Sequence, residues 1–211
     1  MAALRGRPVS IDRSTVIDTA CRLFIDRGFS STTMDQIANT AGISRKALFL
    51  HFPSKGDLVW HRDGEYVQNL RDDIRAAGGD SATAVQHAVV AGFRNAPESL
   101  DTISMQTRLH ASDPELRDIV ESRGIPWRNI VSAWFIEAGA DALLADVLAF
   151  GYWRAMWIGL ERWQESSREM APFLDEQLDH MTQLSRSLLQ IRLSTVPRPH
   201  STSSIAIASP G

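Results

Sequence analysis

Residues 32–57 read TTMDQIANTAGISRKALFLHFPSKGD: two short helical patterns around a glycine, followed at once by a third helix start. Thr33 and Gln36 have the spacing of a capping box, in which the hydroxyl takes an orphan backbone N–H and the amide reaches back to the cap. Ile37, Ala38 and Ala41 give the first helix one apolar face, and Gly42 supplies the positive φ that lets a helix stop and reverse. Ser44 caps the second helix, with Ala47 and Leu48 turned inward and Arg45, Lys46, Phe49, Leu50 and His51 left for the other side. Two helices joined by a short turn containing Gly form a helix-turn-helix, whose second helix is sized to enter a DNA major groove.

Upstream, Val16, Ile17, Ala20, Leu23 and Phe24 recur at three- and four-residue spacing, which predicts an amphipathic helix over Ser10 to Arg27. Gly28 ends it, and Phe29 is expected to fold back onto the stripe. Cys21 lies beside that stripe and reads as a packed core thiol, with no second cysteine for a disulfide. Residues 1–9, with Arg5, Gly6, Arg7 and Pro8, read as a flexible basic arm: solvated, or reaching a minor groove where Arg is favoured. Downstream, Ser54 and Asp57 make a box-like start, placing Lys55 where backbone N–H groups and the helix dipole favour a phosphate.

The basic arm, Leu23-Phe24, Arg27-Gly28-Phe29, Thr-Thr-Met-Asp-Gln-Ile-Ala, Ala-Gly-Ile-Ser and Phe-Pro-Ser-Lys together resemble the TetR family of one-component transcriptional regulators. The likeness covers about the first quarter of the chain and rests on several spaced elements. It implies a three-helix DNA-binding domain over 10–53 and a ligand-binding and dimerisation domain over 54–193, with 194–211 a disordered Ser/Pro/Ala tail. The DNA-binding set it implies is Arg7, Thr33, Ser44, Arg45, Lys46, Ala47, Phe49, Leu50, His51 and Lys55. Phe49, Leu50 and His51 depart from the commoner Tyr-His-Tyr, which removes two phosphate-clamping hydroxyls and leaves Leu50 only apolar contact, such as a thymine methyl. The run Phe-Pro-Ser-Lys-Gly-Asp-Leu-Val-Trp and Gln106-Thr107-Arg108-Leu109 also resemble the actinobacterial regulators linked to mycofactocin, some of which respond to acyl-CoA thioesters.

Beyond Gly79 every segment reads as helix, with short connections and no alternating strand pattern, so the fold class is all-α: the helix-turn-helix plus a C-terminal bundle. A helix of about 22 residues from Ser54 to Gly78-Gly79 would couple head to body. Five of six tryptophans fall after residue 120, suggesting an aromatic pocket. The expected ligand-binding set is Trp60, Phe93, Met105, Arg108, Leu109, Trp127, Val131, Trp134, Trp153 and Trp157, each alternatively an ordinary core or surface residue. Arg128 is a further candidate partner for a ligand anion. The last two helices, with Phe150, Met156, Ile158, Phe173, Leu174, Leu178, Met181, Leu184, Leu188 and Leu189, carry more apolar surface than one neighbour covers. They suggest a twofold homodimer.

The 211 residues carry a net charge of −3 that hides an asymmetry. Residues 1–57 hold eight Arg/Lys against five Asp, and the remainder is acidic, as for a chain with one end on a polyanion. No basic-then-apolar leader opens the chain, and the apolar run from Ala142 to Leu160 is broken by Asp146 and Arg154, so we expect a cytoplasmic protein without a membrane span. The six histidines are scattered and no nucleophile elbow is recognisable, which disfavours an all-α enzyme. Asp57, His61 and Glu65 share a helix face and could bind a metal, though a solvated or ion-paired face is the plainer reading. We expect no cofactor. The expected partners are an operator DNA duplex, a small-molecule effector and a second copy of the chain, with an effector-independent DNA-binding protein as the further alternative.

Overall fold

The computed structural model describes residues 12–59, 65–95 and 99–195, the side chains of 65, 66, 68 and 192–195 excepted. The expectations for the arm with Arg7, for Trp60 and His61, and for the tail beyond 195 lie outside the described residues. Eleven helices follow one another with no strand among the described residues: α1 (Arg13–Arg27), α2 (Met34–Thr40), α3 (Arg45–His51), α4 (Lys55–Val59), α5 (Glu65–Ala77), α6 (Ser81–Arg94), α7 (Leu100–Ser112), α8 (Pro114–Arg123), α9 (Ile125–Glu137), α10 (Ala142–Gln164) and α11 (Met170–Thr195). The all-α class is therefore as expected.

Side chains at the helix starts fix most of these boundaries. α1 begins at Arg13, later than its apolar stripe suggested, because the Asp12 carboxylate accepts the backbone N–H groups of Ser14 and Thr15. Thr33 and Gln36 form the complete capping box, Ser44 accepts from Ala47 N–H, and Gly42 turns the chain at φ 68°. Asp80, Ser99, Asp113 and Asp141 cap α6, α7, α8 and α10 in the same way. α10 stops at Gln164, where the Glu165 and Ser166 N–H groups turn back to the Arg162 and Trp163 carbonyls.

The head packs Val16, Ile17, Phe24, Phe29, Ile37, Leu48 and Phe52 into one core, with the Phe24 and Phe29 rings 4.9 Å apart. Cys21 is part of it, and burial pushes its thiol up to about 12, so it is an inert packing group. In the body, α10 lies between α9 and α11, and α11 also packs on α6. Its apolar sequence is half buried in this bundle. The Tyr152 hydroxyl donates or accepts with Thr182 Oγ1 and reaches the Ala82 carbonyl, which ties α10, α11 and α6 together.

Candidate functional site

Helix α3 presents two unlike faces because residues one and two apart point in different directions around a helix. Leu48 is buried, and Phe52 follows it into the core. Arg45 and Lys46 are exposed, Phe49 is 37% exposed and Leu50 is 79% exposed. Leu50 thus stands out to solvent while Leu48, two residues earlier, is fully buried. Arg45 stacks over the Phe49 ring at 5.3 Å and donates to the Asp35 carboxylate at 3.0 Å. Its guanidinium is thus held in place from the neighbouring helix. Ala47 and His51 are half-buried.

Lys55 is placed otherwise than a bare phosphate clamp. Its ammonium donates to the Phe29 carbonyl at 2.7 Å and lies 4.4 Å over the Phe29 ring, fastening α4 to the turn after α1. Thr33 and Ser44 spend their hydroxyls as helix caps.

Helices α7 and α8 both pack against this head, α7 on α1 and α8 on α4. Residues 115, 119 and 123 share one face of α8, and residues 117 and 121 lie on the other. On the first face, Glu115 accepts from the Ser30 hydroxyl, Ile119 meets Gly56 where any larger residue would clash, and Arg123 pairs with Asp57 at 2.8 Å and reaches Ser54. Burial pushes the Asp57 carboxyl up, yet hydrogen bonds from Arg123 and Ser54 leave it below the ordinary carboxylate value.

The opposite face of α8 borders a cavity of about 380 Å³ lined by Ala111, Arg117, Glu121, Arg154 and Glu161. At its side His110 is 1% exposed, its ring stacked on Trp157 at 3.8 Å. Neither imidazole nitrogen has a hydrogen bond: Nε2 stands 4.0 Å from Glu121 Oε1 and Nδ1 3.8 Å from Glu161 Oε1. Burial pushes the imidazole down to about 4, and the Arg117 and Arg154 charges add to the shift. Glu121 accepts from Arg128 and Trp153 through Oε2, the oxygen other than the one that faces His110.

The residues expected to bind a ligand do not converge on this cavity. Trp127, Trp153 and Trp157 are buried and packed on one another, with ring centroids 5.5 Å and 6.0 Å apart. Val131, Phe93 and Leu109 are likewise core, Met105 is half-buried, Arg108 is exposed, and Trp134 donates to the Ser81 carbonyl. A second hollow of about 440 Å³ between α5, α6 and α11, lined by residues including Asp73, His87, Arg94 and Asp175, involves none of them either. Helical periodicity marked these aromatics as inward; it could not say whether the interior was full. Sequence reading missed His110, Arg117, Glu121, Arg154 and Glu161, because charged residues on separate helices carry no spacing signal.

The apolar faces of α10 and α11 are also redistributed. Met156, Phe173, Leu174 and Leu178 are buried within the protomer. Leu143, Val147 and Phe150 on α10, with Leu184 and Ile191 on α11, point outward instead.

Residues 16–60 match the profile of the family described as bacterial regulatory proteins, tetR family. The head is thus a DNA-binding domain of the tetR family. The chain's relatives are named as transcriptional regulators. The uncharacterised regulator YuxN of Bacillus subtilis is 32% identical over 98 residues, 44% of this chain and 33% of that protein. MftR of Mycobacterium tuberculosis, named for regulation of mycofactocin biosynthesis, is 26% identical over 181 residues, 82% of this chain and 88% of that protein. Among solved structures, the fatty acid degradation regulator FadR of Bacillus halodurans superposes with a TM-score of 0.59 at 14% identity, covering 83% of this chain and 97% of that one. FadR of Bacillus subtilis, solved with stearoyl-CoA, gives 0.58 at 18% identity over 80% and 96% of the two chains. The chain thus shares its fold, over about four-fifths of its length, with proteins to which its sequence is only distantly similar.

Proposed function

We propose that this TetR-family regulator binds a palindromic operator as a homodimer, acts most simply as a repressor, and is released by a small-molecule effector. The observation that carries the reading is the outward face of α3, where Arg45, Lys46, Phe49 and Leu50 stand exposed above a fully packed inner face. Arg45 is the residue for a bidentate guanine contact, oriented by Asp35, and Leu50 for a thymine methyl. Lys46 neutralises phosphate; Lys55 joins it by sharing its ammonium between the Phe29 carbonyl and the backbone of the DNA.

The outward stripe of Leu143, Val147 and Phe150 supports a twofold interface with α10 and α11 of a second copy, which would set two reading helices a groove repeat or its multiple apart. For the effector, an amphipathic acyl-CoA thioester is the class to try first, supported by the fold shared with the FadR solved with stearoyl-CoA. An effector acts only through a preference for the released state, since equal affinity for both states shifts nothing. Such a regulator works in the cytoplasm, where its operator lies.

A mobility shift on the DNA beside its own gene tests the reading. Arg45→Ala with Lys46→Ala should weaken binding by about 100-fold or more, with a steep salt dependence in the parent protein. Operator binding that survives both changes removes α3 from the DNA interface.

A further inference from the structure

The cavity between α7, α8 and α10 is not accounted for by DNA binding or by the acyl chain of an effector. Its walls carry two guanidinium and two carboxylate groups, and all are incompletely engaged. Glu161 accepts no hydrogen bond among the described residues; its nearest cation, Arg154, stands 3.6 Å away. Arg117 spends two donors on the His110 and Ala111 carbonyls and has the rest of its fork left. His110 is the second observation. It is buried, lacks any hydrogen bond, and turns both nitrogens toward the two carboxylates that line the cavity.

A neutral imidazole donates from one nitrogen only, so its other nitrogen faces a carboxylate oxygen as acceptor to acceptor. Glu121 and Glu161 themselves line the cavity, and two carboxylates facing one space are matched by an ammonium, which carries a positive charge and three donors. On the same wall the Arg154 guanidinium calls for an anion. Arg154 and Glu161 stand only 3.6 Å apart, so a ligand whose own opposite charges are equally close matches them best, and one with charges at opposite ends matches them worse.

We propose that this cavity is a binding site for a compact zwitterion of the α-amino acid kind, its ammonium on the Glu121–Glu161 pair, against which His110 lies from behind, and its carboxylate on Arg154 and Arg117. The volume of about 380 Å³ leaves room for a side chain, and lies near the lower end of the usual ~300–1,000 Å³ for ligand pockets. Occupancy reaches the head through α8, whose other face holds Ser30, Gly56 and Asp57. This last step rests on the effector-responsive reading above; the site itself does not.

The test titrates L-norleucine against protein labelled in its imidazole nitrogens, near neutral pH. The isomer ε-aminocaproate separates the charges, caproate lacks the amine and pentylamine lacks the acid. Norleucine should move the His110 resonances saturably and bind at least about ten-fold tighter than each of the three. Glu161→Gln and Arg154→Met, both at the rim, should abolish the response, whereas Arg108→Ala outside the cavity should not. Unmoved His110 resonances, or an equal response to ε-aminocaproate, overturn the site. A protein that shifts operator DNA yet ignores norleucine keeps the regulator reading and loses this one; a protein that binds norleucine but no DNA does the reverse.

Discussion

The Arg123 guanidinium at the end of α8 lies 2.8 Å from the Asp57 carboxylate in α4, and both side chains are less than a quarter exposed. The pair closes a contact between the body and the DNA-binding head that begins at Glu115 and Ser30. Arg123→Met, which keeps the packing of the stem, should cost about 1–2 kcal/mol in urea unfolding. The variant should also lose the share of acid sensitivity that Asp57 provides. Its carboxyl is held low in the folded state, so the stability it adds is present above the ordinary carboxylate value and lost as pH falls below it. An Arg123→Met protein as stable as its parent at neutral pH would mean the contact is only a surface pairing.

The two leucines of α3 should separate folding from DNA binding. Leu48→Ala empties a fully buried position and should cost about 2–5 kcal/mol. Leu50→Ala removes a side chain held out to solvent and should leave the melting temperature within about a degree or two while altering operator affinity. Thermal melts and mobility shifts on both variants check this. Equal destabilisation by the two would contradict the assigned faces.

His110 makes stability depend on pH. Its folded value of about 4 lies below the ordinary value of 6.5, so the unfolded chain binds the proton first as pH falls. Stability is therefore complete above 6.5 and declines between there and about 4, by roughly 2 kcal/mol at pH 5. His110→Phe retains a ring against Trp157 and should flatten that part of the curve. A parent and variant with parallel pH profiles in urea unfolding would show that His110 does not titrate in this range.

Gly124 joins α8 to α9, and a Cβ there would strike the Trp153 ring. Gly124→Ala should cost about 1–3 kcal/mol by overpacking, and should perturb the fluorescence of the tryptophan cluster. An unchanged stability with unchanged emission would show that the ring yields freely.

The local grammar of the head was legible because its determinants lie within four residues of one another. Thr33 with Gln36, Ser44 with Ala47, Ser54 with Asp57, and Gly42 at the turn are short-range hydrogen bonds and one backbone angle. They fix where two helices begin and where the chain turns between them, and Arg45, Lys46 and Leu50 stand exposed on the second. The all-α class followed from the same periodicity.

What the tertiary structure alone decided is which faces meet. Ser30 with Glu115 and Ser54 with Arg123 join residues 85 and 69 positions apart, and no spacing rule reaches that far. An apolar stripe announces burial without naming what buries it, so Leu174 and Leu178 went inside the protomer while Leu143 and Val147 stayed out. The tryptophans filled their own interior, and the open space fell instead among His110, Arg117, Glu121, Arg154 and Glu161. Burial is a property of three-dimensional neighbours, and charge becomes a site only when separate helices bring it together.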